Sequence, residues 1–129
     1  MIIPEELNYT KSHEWIKTLD NGTIEMGLSD YAQNELGDIV FVNLPKSGAA
    51  LTAGLVFADV ESVKAVSDIY SPVTGSVIEI NRELLDAPEL INKSPYAAWL
   101  IRAQGFIQKD DLLSAEEYKA LCGQTTNRK

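Results

Sequence analysis

At 129 residues the chain suits one domain, residues 1–129, and its 45% hydrophobic share is that of an ordinary globular protein. Against 11 basic residues stand 19 acidic ones, a formal charge of −8, and such a field repels phosphate backbones and anionic lipid, so neither nucleic acid nor membrane is expected as a partner. The lone cysteine, Cys122, precludes an internal disulfide, and with a lone histidine, His13, it cannot furnish a zinc site, so no metal is expected. The opening Met1-Ile2-Ile3-Pro4-Glu5-Glu6 has no basic or Arg-rich leader character, and a cytoplasmic monomer is the expectation.

Along the chain, Thr23 to Leu28 alternates, with Ile24, Met26 and Leu28 on one face and Thr23, Glu25 and Gly27 on the other, which predicts a half-buried strand. Ser29 caps a helix predicted over Asp30–Leu36, where Asp30 complements the helix dipole and Gly37 marks the end. Ile39 to Val42 is a continuous apolar run and predicts a strand covered on both faces. Pro45 to Gly54 reads as turn and loop. Leu55 to Tyr70 fits two periods: Val56, Val60 and Val63 form a helical stripe, while Val56, Ala58 and Val60 alternate with Leu55, Phe57 and Asp59. Its β-branched content favours strand, because such side chains suit a pleated surface. Ser71 to Gly75 reads as a turn and Val77 to Asn81 as a strand. Ser114-Ala115-Glu116-Glu117 is a capping box opening a helix with Tyr118 and Leu121 that ends near Gly123, leaving residues 124–129 to fray.

Gly37 to Asn43 and Gly75 to Asn81 share Gly, three β-branched positions and Asn in one order. Two half-units packed face to face as a flattened barrel or sandwich would produce this echo, as would chance likeness between two buried strands.

Catalytic readings find little support. No nucleophile elbow accompanies His13, and the glycines are spread as turn punctuation rather than gathered in a phosphate loop. His13 reads as a structural strand residue and Cys122 as a small apolar filler. Lys64 stands apart from the other lysines because it interrupts Val60-Glu61-Ser62-Val63-Lys64-Ala65-Val66, at or near the tip of a hairpin if two strands meet there. A rigidly presented amine suits an enzyme that acylates one lysine; an exposed lysine that guards a strand edge fits equally well.

Glu61-Ser62-Val63-Lys64-Ala65, then Ser67-Asp68 and Ser71-Pro72-Val73-Thr74-Gly75, resembles the lipoylation segment of the glycine cleavage system H proteins. Tyr9 to Trp15 is similar to that family's opening strand, and Gly27 to Gln33, Leu36 to Val42 with Leu44-Pro45, Pro88 to Asn92, and Ser94 to Tyr96 follow in order. Leu112 to Leu121 resembles its C-terminal helix, so the resemblance spans residues 9 to 121. It departs at Pro95-Tyr96-Ala97-Ala98-Trp99, which is one residue short and lacks glycine, and in a short connection from Arg102 to Leu112.

The resemblance implies a mainly β fold, a barrel-sandwich hybrid of the lipoyl-domain kind with short helices and a C-terminal helix. It implies a non-catalytic carrier with lipoate in amide linkage to Lys64, Glu61 read by a lipoate ligase or a lipoyl/octanoyl transferase, and a cleft for the aminomethyl-loaded arm formed in part by Ser12, Glu14 and Asp68. The alternative reading is that Glu61 is a solvent-facing strand residue and that Glu14 and Asp68 are ordinary surface acids. The implied partners are the pyridoxal-phosphate glycine decarboxylase (P protein), the aminomethyltransferase (T protein) and the dihydrolipoyl dehydrogenase (L protein). An H-like protein that mainly donates its lipoyl group to other complexes, and a non-lipoylated binding module or minor hydrolase on a decayed carrier fold, are the alternatives.

Overall fold

The computed structural model describes residues 1–19, 21–107 and 112–126. In chain order the elements are β1 (Asn8–Tyr9), β2 (Glu14–Thr18), β3 (Ile24–Leu28), α1 (Asp30–Leu36), β4 (Ile39–Asn43), β5 (Ala50–Leu51), β6 (Val56–Ser62), β7 (Val66–Tyr70), β8 (Val73–Ile80), α2 (Glu83–Asp86), α3 (Leu90–Lys93), β9 (Ile101–Ile107) and α4 (Ala115–Thr126). They form an antiparallel sheet of six strands, ordered β1-β2-β3-β9-β8-β5, and one of three, ordered β4-β6-β7.

The principal core gathers Ile16, Met26, Val77 and Ile101 from the larger sheet with Val42, Val60 and Ile69 from the smaller one. Alternation along β2 sends neighbouring side chains to opposite faces. Ile16 joins this core, while Trp15 joins a second cluster with Tyr9, Tyr31, Tyr118 and Cys122, which seats α4 on the outside of the larger sheet. The two echo segments fall in different sheets, β4 in the smaller and β8 in the larger. Both send apolar residues into the same core, Ile39 and Val42 from one and Val77 from the other. The architecture is mainly β, two sheets with short helices and a C-terminal helix.

Several elements follow their local chemistry. The Ser29 hydroxyl accepts from the Ala32 amide at 3.1 Å and opens α1, and Gly37, at φ +79°, ends it in a conformation that side chains disfavour. The capping box is reciprocal: the Glu117 amide donates to the Ser114 hydroxyl at 3.1 Å, and the Ser114 amide donates to the Glu117 carboxylate at 2.8 Å.

Other expectations are corrected. The strand β4 is covered on one face only: Ile39 and Val42 are buried, while Val40 and Phe41 remain 54% and 49% exposed around a bulge. An apolar run shows affinity for a pleated sheet, not which of its faces a second layer covers. Pro45 to Gly54 contains the short β5, and Tyr9 to Trp15 is two strands joined by a turn. Ser71 to Gly75 is only partly a turn, since β8 begins at Val73. There Gly75 pairs with Gly105 across two strands so close that a Cβ at residue 75 would overlap the Gln104 carbonyl. The last helix runs past Gly123 to Thr126, because one glycine costs a helix only about 1 kcal/mol. Residues 127–129, within the segment expected to fray, lie outside the described residues.

Candidate functional site: the hairpin tip and its two cavities

The strands β6 and β7 form a hairpin whose tip is Val63, Lys64 and Ala65, so the ambiguous segment is strand and its lysine stands at the turn. The Ser62 hydroxyl closes this turn by accepting from the Lys64 and Ala65 amides, both at 3.1 Å, while the Ser62 amide donates to the Ala65 carbonyl at 2.8 Å. Serine suits the position because a short hydroxyl can satisfy two turn amides at once. The tip is also fastened sideways, by the Val63 amide donating to the Asp38 carbonyl at 3.0 Å. Asn92 anchors that support: its amide nitrogen donates to the Gly37 carbonyl at 2.9 Å and its oxygen accepts from the Ile39 amide at 2.8 Å.

The Lys64 side chain is exposed and lies across the end of α1. Its ammonium donates to the Glu35 carbonyl at 3.5 Å, and its Cε passes 3.4 Å from where a Cβ at residue 37 would sit. A cation is favoured beside unpaired carbonyls at a helix C-terminus, and Gly37 leaves room for its stem.

Beside this end of α1 opens a cavity of about 300 Å³, walled by Glu35 and Leu36, by Ser67 and Asp68 of β7, and by Ser12 and His13. A second cavity, of about 410 Å³, is lined by Thr10, Ser12, Glu14, Tyr70 and Pro72 among others. Ser12 borders both, whereas Asp68 lines the first and Glu14 the second. Glu14 is 1% exposed and held by donors on every side. Its Oε1 accepts from the Ser12 hydroxyl at 2.6 Å and from the Thr10 hydroxyl, and its Oε2 accepts from the Tyr70 amide at 3.3 Å. Burial raises this carboxyl above its ordinary range, and the hydrogen bonds from Ser12, Thr10 and Tyr70 pull it partly back. Glu61 sits elsewhere, on β6 between Phe41 of β4 and Val66 of β7.

His13 is not a strand residue. It occupies the turn between β1 and β2 at φ +76°, where its Nδ1 lies 2.7 Å from the Tyr118 hydroxyl and its ring stacks on Tyr31 at 4.7 Å. Burial lowers its pKa, with Glu35 opposing. The Tyr118 hydroxyl also meets the Ser29 hydroxyl at 2.7 Å, so one phenol of α4 ties the cavity wall to the cap of α1. Cys122 is buried in the second cluster beside Tyr118.

The sequence model of the family described as Glycine cleavage H-protein matches residues 7–125. The chain belongs to the glycine cleavage H-protein family. A glycine cleavage system H protein of Lachnoclostridium phytofermentans is 56% identical over 119 residues, covering 92% of this chain and 94% of its own. One from Staphylococcus carnosus is 50% identical over 127 residues, covering 96% and 100%. The crystal structure of the Mycobacterium marinum glycine cleavage system H protein superposes with a TM-score of 0.87 at 39% identity, covering 94% of this chain and 99% of that one.

Within this H-protein fold the shortened Tyr96–Trp99 segment is well tied down. The Tyr96 hydroxyl donates to the Ile2 carbonyl at 2.6 Å and accepts from the Asp30 amide at 3.0 Å, and the Trp15 indole donates to the Pro95 carbonyl at 3.0 Å. Trp99 lies under Arg102, whose guanidinium carbon is 4.0 Å from the ring centroid and which bridges Glu25 and Glu79. Residues 108–111 of the short connection after Arg102 lie outside the described residues. The residues that sequence reading missed are Asn92, Ser67, Glu35 and Tyr118. Asn92 and Ser67 stood in motifs of the resemblance and Tyr118 in the C-terminal helix, but none of them had a role until long-range packing brought them, with Glu35, to the site.

Proposed function

We propose that the chain serves glycine cleavage as a carrier through a lipoyl group in amide linkage to Lys64. The observation that carries this reading is the tip itself: an exposed amine on a turn fastened by Ser62 and Asp38, with the Lys64 side chain reaching Glu35 in the wall of a cavity that meets a second one at Ser12. Lipoate attached there would supply a redox-active disulfide able to carry an aminomethyl group, so the protein would need no reactive cysteine of its own. The cavity walled by Glu35 and Leu36 borders the resting position of Lys64 and gives an arm rooted there a surface to lie on. Ser12 stands where the two cavities meet, and its proton is committed to Glu14, which leaves its oxygen lone pairs for an incoming ammonium. Asp68 adds negative charge from the edge strand, and Glu14 adds it from beneath Ser12 without facing solvent.

The partners in this reading are the P protein, which loads the aminomethyl group, the T protein, which removes it, and the L protein, which reoxidises the dithiol. The test is the mass of the protein from its own host, with the modified peptide located, followed by reconstitution with P protein. One lipoyl group on Lys64 is expected, and its amide removes one positive charge, so −8 becomes −9. Lys64→Arg keeps the charge but offers no acylable amine, and should fold as the wild type does and carry nothing. Lipoate mapped to Lys46 or Lys93 would refute the assignment.

A further inference from the structure

Four of the large apolar side chains left exposed cluster around the hairpin: Val63 and Val66, at 68% and 66%, beside Lys64, and Val40 and Phe41, at 54% and 49%, on the neighbouring strand. Strand register orders part of this set. Phe41 pairs with Glu61, and Glu61 pairs with Val66, so the three form one row across the whole of the smaller sheet. Directly paired residues share a face, and here that face is turned away from the core. An acid is thereby set between two apolar side chains. The next row on the same face, Asn43, Asp59 and Asp68, is entirely polar. Single exposed apolar residues are ordinary, but a row adjoining the residue to be modified marks a contact surface.

We propose that Phe41 and Val66, on either side of Glu61, are the docking strip for the enzyme that acylates Lys64. This rests on the reading of Lys64 as the lipoylated residue. Reach selects this occupant over the later partners. An unmodified lysine places its nitrogen only about 6 Å from its own Cα, from ordinary bond lengths. An enzyme that acylates it must therefore close over the hairpin and bury what flanks the tip. Once the arm is attached, its reach is more than doubled, and the later partners can act without covering the strands. The complementary face carries two apolar depressions with a cationic side chain between them, and the −8 charge of the chain steers such a basic face toward it. In the ligase route the Lys64 nitrogen attacks the carbonyl carbon of lipoyl adenylate. The C–N bond forms as the C–O bond to phosphate breaks, AMP leaves, and the amine's proton passes to solvent.

The experiment uses the full-length apo protein with a lipoate–protein ligase, lipoate and Mg-ATP. It compares Phe41→Ser, Val66→Ser, the double variant and Glu61→Ala, with melting temperature measured in parallel. The double variant should lose on the order of tenfold in kcat/KM, expressed in KM, since two anchors lose their burial against the enzyme. Its melting temperature should stay near wild type, as both side chains are exposed, and Phe41→Leu with Val66→Ile should restore the rate. If Glu61→Ala slows acylation while the double variant does not, the strip is refuted and the role of Glu61 stands. If the double variant slows and Glu61→Ala does not, the strip stands and the acid is incidental. Normal acylation of every variant at Lys64 refutes the strip while leaving the lipoyl lysine intact. Double variants lipoylated to completion should be loaded by P protein at the wild-type rate; an equal loss there would assign the row to P protein and overturn the proposal.

Discussion

Replacing Glu14 in two ways separates the work of its charge from that of its shape. Glu14→Ala strips the acceptor from three donors, the Thr10 and Ser12 hydroxyls and the Tyr70 amide. The two hydroxyls stand 3.3 Å apart, so Thr10 can donate to Ser12 while the exposed Ser12 donates to solvent, and one donor, the Tyr70 amide, is orphaned. An orphaned donor and the small void together cost about 2–4 kcal/mol, or roughly 6–20 °C in melting temperature for a chain of this length. Glu14→Gln keeps the shape: its nitrogen can donate to the two hydroxyl oxygens while its oxygen still accepts from Tyr70. The difference between Gln and Glu then depends on pH. Burial raises the folded pKa of Glu14 above its unfolded value of 4.5, so the stability this proton contributes is complete below that value and is lost as pH rises through the folded one. Glu14→Gln should therefore gain on the wild type between pH 4 and pH 7 in urea denaturation. The same variant, lipoylated and loaded, should release ammonia on the order of tenfold faster without T protein, because the carried ammonium loses a nearby anion. A Gln-minus-wild-type difference that is flat with pH, or an alanine variant as stable as glutamine, would refute this account of the carboxylate.

Tyr118→Phe removes the hydroxyl shared by His13 and Ser29, each at 2.7 Å, and should cost about 1–3 kcal/mol by calorimetry; an unchanged melting temperature would mean that neither bond matters. Gly27→Ala places a methyl 2.8 Å from the buried Trp15 indole and should cost about 1–3 kcal/mol, with a shift in tryptophan fluorescence that an adaptable site would not show. His13 is held below its unfolded value of 6.5, so its contribution to stability is present above that pH and is lost as pH falls through the folded value. In His13→Asn, which tolerates the left-handed backbone, the loss of stability below pH 6.5 should be smaller than in wild type, and identical slopes would show that His13 does not titrate in this range.

Where sequence and structure agree, the deciding chemistry is local. The bounds of α1 follow from Ser29 and Gly37, and the capping box of α4 from residues within one turn. The hairpin at Lys64 follows from β-branched residues on both sides of a turn. Where they differ, the deciding contact is distant in sequence. The alternation of Thr23 to Leu28 placed Gly27 with polar residues, yet Gly27 is glycine because the Trp15 indole of the adjacent strand fills the space of its side chain. Gly75 looked like turn punctuation and is a strand residue made small by Gly105 on its partner. No periodicity reveals such pairs, since each residue's reason lies on another strand. The site divides in the same way. Glu14 and Asp68 are both acids near polar neighbours in sequence, but only the fold separates them, burying one behind Ser12 and leaving the other exposed on an edge strand.

The fastening of the tip has a consequence for a tethered carrier. A lipoyl-lysine arm of roughly 14 Å confines its reactive end to a sphere that corresponds to an effective concentration on the order of 0.1 M. That figure falls with the cube of the radius. A root free to sway by about half the arm's length would lower it roughly threefold and smear the positions from which the arm enters the cavity beside α1. The root is therefore best held still while the arm alone moves. The Ser62 hydroxyl holds it from within the turn, and the Asp38 carbonyl holds Val63 from the side. Asn92 in turn fixes both residues that flank Asp38, the Gly37 carbonyl and the Ile39 amide. On the proposed reading of Lys64 as the lipoyl lysine, polar side chains one step removed would set the precision of a group they never touch, and Asn92 would serve the carrier although it lines neither cavity.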